Sequence, residues 1–448
     1  MSGNLTRRTR AGYGMGSVAT GAFGTVPGLM LLPYLTDTLG VTAAAAGLVV
    51  FLPKAWDVVL NPIAGRISDR STSTRGPRRP FLIRAGIALA ICFALLFAGP
   101  DTGAKLLDTC WVVVLFLACA TAYAFFQVPF VAMPAEITDD YDERTRLMTW
   151  RVALLALTIL LAGASAPAIR NAIGGRDGYR AMGVFVAVLI VVGTVAAYVG
   201  TRNAPVGPVH PAGGTLGEQL RIVSRSRNFR LLLTTFVIQA LAVGAMLAGV
   251  DYMSRDVLAN KGASTTLFVC FVGPALLLTP VWTAIGRRVG KKQGYVAASL
   301  FLASGAVLLV FARQLPATGV FVATGLVGVG YAGAQVFPLA MLPDTAAVDA
   351  VRSGTNRVGV FTGVWTAGET LGLAIGPGVF ALVLAGGGYI SSTSGNIAQP
   401  ESAVNAIVLG FSLLPAALFL LSLCWLARYD LSPAEVAAAV AEPAKESP

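Results

Sequence analysis

Apolar runs long enough to cross a lipid bilayer recur along this 448-residue chain, separated by short stretches that hold most of its charge. A membrane-spanning helix needs about 20 such residues. Only 12% of the chain is charged, about half the share of a soluble globular domain. That excludes a water-soluble enzyme built on one compact core, and so much apolar material excludes a disordered chain. The runs predict an all-α polytopic membrane protein. Its spans lie near 12–39, 42–67, 81–99, 108–135, 146–168, 180–200, 230–253, 265–286, 294–313, 317–342, 358–386 and 403–427. Twelve is an even number, so both termini fall on one side of the membrane.

Charge chooses the side. Lys and Arg crowd the cytoplasmic loops of polytopic proteins. Here the basic N-terminus (Arg7, Arg8, Arg10), the loop after span two, the loop between spans six and seven, and Arg287, Arg288, Lys291 and Lys292 after span eight share one face. Both termini are therefore expected in the cytoplasm, the cell membrane as the location, and lipids as neighbours. The net charge of +11 is read as this asymmetry, with no nucleic-acid partner. The first apolar run is too long for a cleavable signal peptide. The five cysteines form no CxxC pair and His210 is the single histidine, so no metal site is expected. No Walker-type or dinucleotide-binding glycine motif occurs, and no cofactor or enzymatic activity is predicted. Ser432 is the expected N-cap of a short helix in the tail, and Pro129, Pro274, Pro338 and Pro377 are candidate helix kinks.

The chain repeats itself. Span four reads YAFFQVPFVAMP from Tyr123, and span ten reads YAGAQVFPLAMLP from Tyr331. Tyr, Ala, Gln and Val recur at a constant offset. Two halves, 1–200 and 230–427, are thus expected around a cytoplasmic linker, 201–229, with a tail at 428–448. Such repeats are common in transporters, which bind substrate near mid-membrane.

Polar side chains inside the spans are the functional candidates. A charge at mid-bilayer costs about 2.5–3.5 kcal/mol on insertion scales. Span two carries Lys54, Asp57 and Asn61 at intervals of three and four, on one helical face. Either Lys54 and Asp57 form a buried ion pair that fixes packing, or Asp57 and Asn61 bind a cation or Asp57 carries a proton. Gln127 in span four can donate to and accept from a polar solute. Arg151 in span five either snorkels to the headgroups or grips an oxygen-rich group. Glu369 in span eleven, near Trp365, either relays protons or hydrogen-bonds a neighbouring helix. Gln239 and Gln335 are further candidates, while Asp37 and Asp251 sit near the outer ends and are expected to face water. Gly-rich stretches such as GYGMGSVATGAFG let helices approach closely.

The segment KAWDVVLNPIAGRISDRSTSTRGPRRPF, with YLTDTLG before it and QVPFVAMPAEITDDYDERTR after it, resembles the glycoside–pentoside–hexuronide:cation symporters of the major facilitator superfamily, the melibiose-carrier type. The resemblance implies twelve helices in two six-helix bundles around a central cavity, and cation-coupled alternating access by a monomer. It implies a cation site where the family has two Asp residues on helix two. Here these are Asp57 and Asn61, one formal charge fewer, which weakens a Na+ site and points to coupling by H+ or to no coupling. The sugar-binding carboxylates of helices one and four correspond to Gly21 and Gln127, and the helix-five Arg to Arg151. Asp69, Arg70, Arg75, Arg78, Arg79, Asp142 and Arg144 are similar to the family's cytoplasmic gating charges. With Lys54, Trp365 and Gln335 added to Gln127 and Arg151 as substrate-binding candidates, the expectation is a secondary active transporter of a small, glycoside-like solute. The alternatives are a carrier of an amphipathic lysophospholipid or hydrophobic drug and, remotely, a membrane enzyme or sensor.

Overall fold

In a computed structural model the described residues are 5–69, 71, 78–138, 141–204, 221, 224–353, 358–393, 397–431 and 435–436. The regular elements assigned among them are helical. In hydrocarbon a backbone must satisfy its own N–H and C=O groups, and the helix does so within one segment. The long helices are α1 Arg7–Asp37, α2 Ala43–Asp69, α3 Arg79–Phe97, α4 Lys105–Ala132, α5 Tyr141–Ile173, α6 Gly175–Thr201, α7 Arg227–Tyr252, α8 Ala263–Val289, α9 Lys291–Leu308, α10 Ala317–Ser353 and α11 Val358–Gly386. The last, α12, covers Glu401–Ala427 and is interrupted at Ser412. Among the described residues, eleven stretches within these helices are long and apolar enough to cross a membrane. The remaining long helix is α2, whose 27 residues include Lys54, Asp57 and Asn61.

Several helices outrun the expected spans. α5 starts at Tyr141 and α10 continues to Ser353. Backbone hydrogen bonding does not stop where hydropathy falls, so a helix carries its charged end beyond the hydrocarbon. The prolines at 129, 274, 338 and 377 lie inside continuous helices. At the start of α1, Thr6 accepts a hydrogen bond from the Thr9 amide at 3.2 Å, an N-cap that answers one of the orphan donors of the first turn. Beyond the end of α1, Gly40 has φ +66°, a conformation glycine adopts without penalty. Ser432 lies outside the described residues.

The chain divides into two compact units. The first comprises Met1–Pro211, Asn260–Thr265 and Gly388–Pro400, and the second Ala212–Ala259, Thr266–Gly387 and Glu401–Pro448. In the first unit α1 packs against α5 and α6, α3 against α4 and α6, and α2 against α4. In the second, α7 packs against α11 and α12, and α9 against α10 and α12. Small residues permit the tightest of these contacts. A Cβ on Gly12 would lie 2.5 Å from Gly200 Cα, so α1 and α6 touch backbone to backbone.

Paired cations repeat the same construction in both units. At the start of α3, Arg78 donates to the Ala132 carbonyl and lies 3.8 Å from Glu136, while Arg79 donates to the carbonyls of Arg202 (3.3 Å) and Ala204 (2.6 Å). At the start of α9, Lys291 donates to the Ala340 carbonyl (3.0 Å) and to Asp344 (2.6 Å), and Lys292 to the carbonyls of Ala427 (2.9 Å) and Tyr429 (2.6 Å). Ala132 and Ala340, Glu136 and Asp344, Tyr123 and Tyr331, and Gln127 and Gln335 are each 208 positions apart. The first cation of each pair ties the third helix of its unit to the fourth, and the second ties it to the sixth. The repeat seen in the apolar letters is thus also a repeat of polar contacts.

Candidate functional site

In the first unit, Leu60 and Ala64 of α2 pack on Ala124 of α4, flanked by Phe125 and Val128. Trp56 adds a hydrogen bond from its Nε1 to Thr121 Oγ1 at 3.2 Å. This seating leaves Asp57 only 3% exposed, with Oδ1 buried and without a hydrogen-bond partner. Lys54 is near enough for its charge to act on Asp57. Its Nζ, however, lies over the Phe23 ring of α1, 5.2 Å from the centroid. Among the described residues no ion pair within 4 Å joins the two. The packing ion pair allowed by the sequence is therefore replaced by a cation–π contact, and the carboxylate is left open to another partner. Asn61 is half-buried one turn further on.

Gln127 is held by α1. Thr20 Oγ1 donates to Gln127 Oε1 at 2.7 Å, which leaves the amide N–H groups for other use. Thr20 was not singled out by the sequence, because an isolated threonine in a span usually bonds its own helix; here it also reaches Gly16 O, at 3.5 Å. The Phe23 ring that meets Lys54 also lies 4.7 Å from the Tyr123 ring of α4. Gly24 and Gly28 follow Thr20 at intervals of four, and a Cβ on either would meet nothing within 4 Å. Gly21, by contrast, faces α5, where a Cβ would come within 3.0 Å of Thr158 Cβ. The position matched to a sugar-binding carboxylate is a helix contact, and the open side of α1 runs through Thr20, Gly24 and Gly28. Arg151 of α5 is half-buried, its guanidinium 5.8 Å from the Phe130 ring centroid and its Nη1 3.8 Å from Met148 Sδ. Phe130 in turn stacks on Tyr13 at 4.8 Å. No carboxylate pairs with Arg151 among the described residues.

Of the expected gating charges, Arg78 and Arg79 are buried (5% and 3% exposed) in the contacts given above. Arg70 and Arg75 lie outside the described residues. Asp69, Asp142 and Arg144 lie in helices, and their side chains are outside what is described. The structure adds a cluster that the sequence did not flag. Arg10 donates to both Glu143 carboxylate oxygens, at 2.9 and 2.7 Å, and Arg146 donates to one of them at 2.8 Å. These hydrogen bonds, Arg10's above all, hold the Glu143 carboxyl below the usual carboxylate range. Charges 133 positions apart in the chain leave no periodic trace in the sequence.

In the second unit, Gln239 of α7 is fully engaged. Its Nε2 donates to Ser299 Oγ (3.0 Å) and Ser422 Oγ (2.9 Å), and its Oε1 accepts from Tyr295 (2.9 Å). Beside it, Tyr331 and Gln335 of α10 and Glu369 of α11 line a cavity of about 40 Å³. Trp365 is buried behind this cavity's wall, stacked on Phe236 at 4.4 Å. Glu369 and Gln335 thus line one cavity, and Trp365 is buried next to it. The outer carboxylates depart from expectation: Asp37 accepts from Tyr389 at 2.7 Å, and Asp251 is buried beside Arg255 at 3.5 Å. The end of α7 passes into a π-helical turn, Met253–Val257, where the Arg255 guanidinium lies 5.4 Å from the Tyr252 ring centroid.

Long apolar helices with polar side chains gathered inside each unit define a multi-pass membrane transporter. The family model described as MFS/sugar transport protein matches residues 12–433, and the chain belongs to that family, one of transporters and not of enzymes. Among similar proteins are a glucuronide carrier protein homolog of Escherichia coli (strain K12), 25% identical over 96% of this chain and 94% of that one, and the inner membrane symporter YicJ of the same organism, 25% identical over 95% and 92%. The isoprimeverose transporter of Lactiplantibacillus pentosus is 24% identical over 90% and 85%. The fold is also that of a solved proton dependent oligopeptide transporter (TM-score 0.69, 13% identity, 96% of this chain and 99% of that chain). A bacterial homolog of the human lysosomal transporter Spinster gives a TM-score of 0.67 at 12% identity, over 95% and 98%.

Proposed function

We propose that this protein is a cation-coupled symporter of a small glycoside-like solute in the cell membrane, with both termini in the cytoplasm. The observation that carries the reading is Asp57, a buried carboxylate inside the long helix α2 whose neighbouring lysine is engaged by an aromatic ring. A buried charge is retained only when something offsets its desolvation, and a transported H+ or Na+ does so, with Asn61 supplying a further oxygen one turn away. Gln127, held by Thr20, and Arg151, poised over Phe130, are the solute contacts. They present N–H donors, which suits hydroxyl and carboxylate oxygens. Relatives named for glucuronide and isoprimeverose transport support a glycoside.

Counterflow in proteoliposomes across a panel of glucuronides, xylosides and disaccharides tests the solute class. The expected result is exchange of at least one glycoside, abolished in Arg151→Ala and slowed in Gln127→Ala. Binding of labelled lysophospholipid that is lost in Arg151→Ala, with no glycoside exchanged, would overturn it in favour of an amphipathic cargo.

A further inference from the structure

The second unit holds a carboxyl group that the coupling scheme built on Asp57 does not use. Glu369 faces the cavity between α7, α10 and α11, whose remaining walls are Phe236, Ala240, Val243, Ala334, Leu373 and Phe419. α7 brings no charge to this space, α10 brings only Tyr331 as a titratable group, and α12 brings Phe419. Among the described residues no cation lies within 4 Å of Glu369. Gln239, the polar neighbour that could have donated to it, has both its N–H groups committed to Ser299 and Ser422.

Three constraints follow from that lining. An ionised carboxylate here has no counter-charge, and such a group takes up a proton rather than remain charged. A hard metal cation of the Ca2+ or Mg2+ kind draws six or more oxygens around itself; this wall offers Glu369, Tyr331, Gln335 and the already engaged Gln239. A volume of about 40 Å³ is enough for a water molecule with polar partners on its walls. We infer that Glu369 is a second proton-binding site of this protein, confined to the C-terminal unit: a protonated carboxyl group that exchanges its proton through water held in the cavity against Tyr331 and Gln335. Proton uptake here neutralises one carboxylate and changes no covalent bond besides the O–H. The site rests on the transport reading for its role, but its occupancy by a proton is independent of Asp57 and of any solute.

Infrared difference spectroscopy of the purified full-length protein, titrated in H2O and D2O without solute, reads the site directly. The expected result is a protonated-carboxyl stretching band, shifted by D2O, that persists in Asp57→Asn and disappears in Glu369→Gln. Glu369→Asp, with the carboxyl kept and drawn back, should retain a band at a shifted frequency; this guards against loss of the signal through misfolding. A band unchanged in Glu369→Gln, or no protonated-carboxyl band assignable to Glu369 between pH 5 and 8, would overturn the inference. Because no transport is measured, failure here is separate from failure of the symporter reading, which counterflow tests.

Discussion

At the scale of single residues, the proposed function rests on polar groups whose usual partners are elsewhere. Asp57 keeps a buried oxygen without a partner while Lys54 turns to Phe23. The spacing of these residues was legible in the sequence, since intervals of three and four place them on one face. Which partner Lys54 takes was not, because that depends on where α1 brings Phe23. Thr20 and Gln127 give a test: each contributes one polar contact, worth about 1.4 kcal/mol or tenfold. Gln127→Ala is expected to raise the KM for the solute about tenfold and Thr20→Val somewhat less, and an unchanged KM in both would remove them from the solute path. Glu143 gives a second test, with a defined sign. Its folded pKa is depressed by Arg10 and Arg146. It therefore stabilises the protein at pH above the ordinary Glu value of about 4.3, and that contribution is lost as pH falls through the lower folded value. Glu143→Gln should lower the Tm at pH 7, by the loss of charge-assisted bonds worth about 1.5–3 kcal/mol, and the difference from wild type should shrink in acid below pH 4. A Tm gap that is the same at both pH values contradicts the assignment.

At the scale of elements, the spans could be read from hydropathy because hydrocarbon admits few alternatives to a helix. Helix ends, the break in α12 at Ser412 and the π-helical turn after α7 could not, since each is decided by local contacts that do not alter mean apolarity. The repeat was visible in span four and span ten. Its basis in paired cations was not, because most of the anchors are main-chain carbonyls, which every residue has. Close helix approach was legible as small residues, though not which glycine does what. Gly12 meets the α6 backbone, whereas Gly24 faces open space. Gly12→Val should therefore destabilise the protein by about 1–3 kcal/mol through overpacking, and Gly24→Ala should leave the Tm unchanged. Equal effects of the two in a thermal-unfolding assay would show that α1 is not seated as described.

At the scale of the whole molecule, each unit combines a close-packed frame with a polar interior. The frame comes from glycine-lined helix contacts and from the cation ties at the start of α3 and α9. The interior differs between units: cationic and amide groups beside Asp57 in the first, and a carboxyl beside amides and a phenol in the second. Membership of the sugar-transport family was legible chiefly from the segment around Asp57, with support from YLTDTLG before it and QVPFVAMPAEITDDYDERTR after it, because the basic loop and the polar face occur together there. The solute was not, because the resemblance sets Gly21 and Gln127, which carry no charge, at the positions expected for sugar-binding carboxylates. In the proposed mechanism, ion entry at Asp57 drives solute movement. Its most direct measurement is solute accumulation in proteoliposomes under an imposed H+ or Na+ gradient, compared with the same vesicles after the gradient is collapsed. The expected result is accumulation above equilibrium with one of the two ions, and its loss in Asp57→Asn while passive exchange continues. Accumulation indifferent to both gradients, or unaltered by Asp57→Asn, would contradict it.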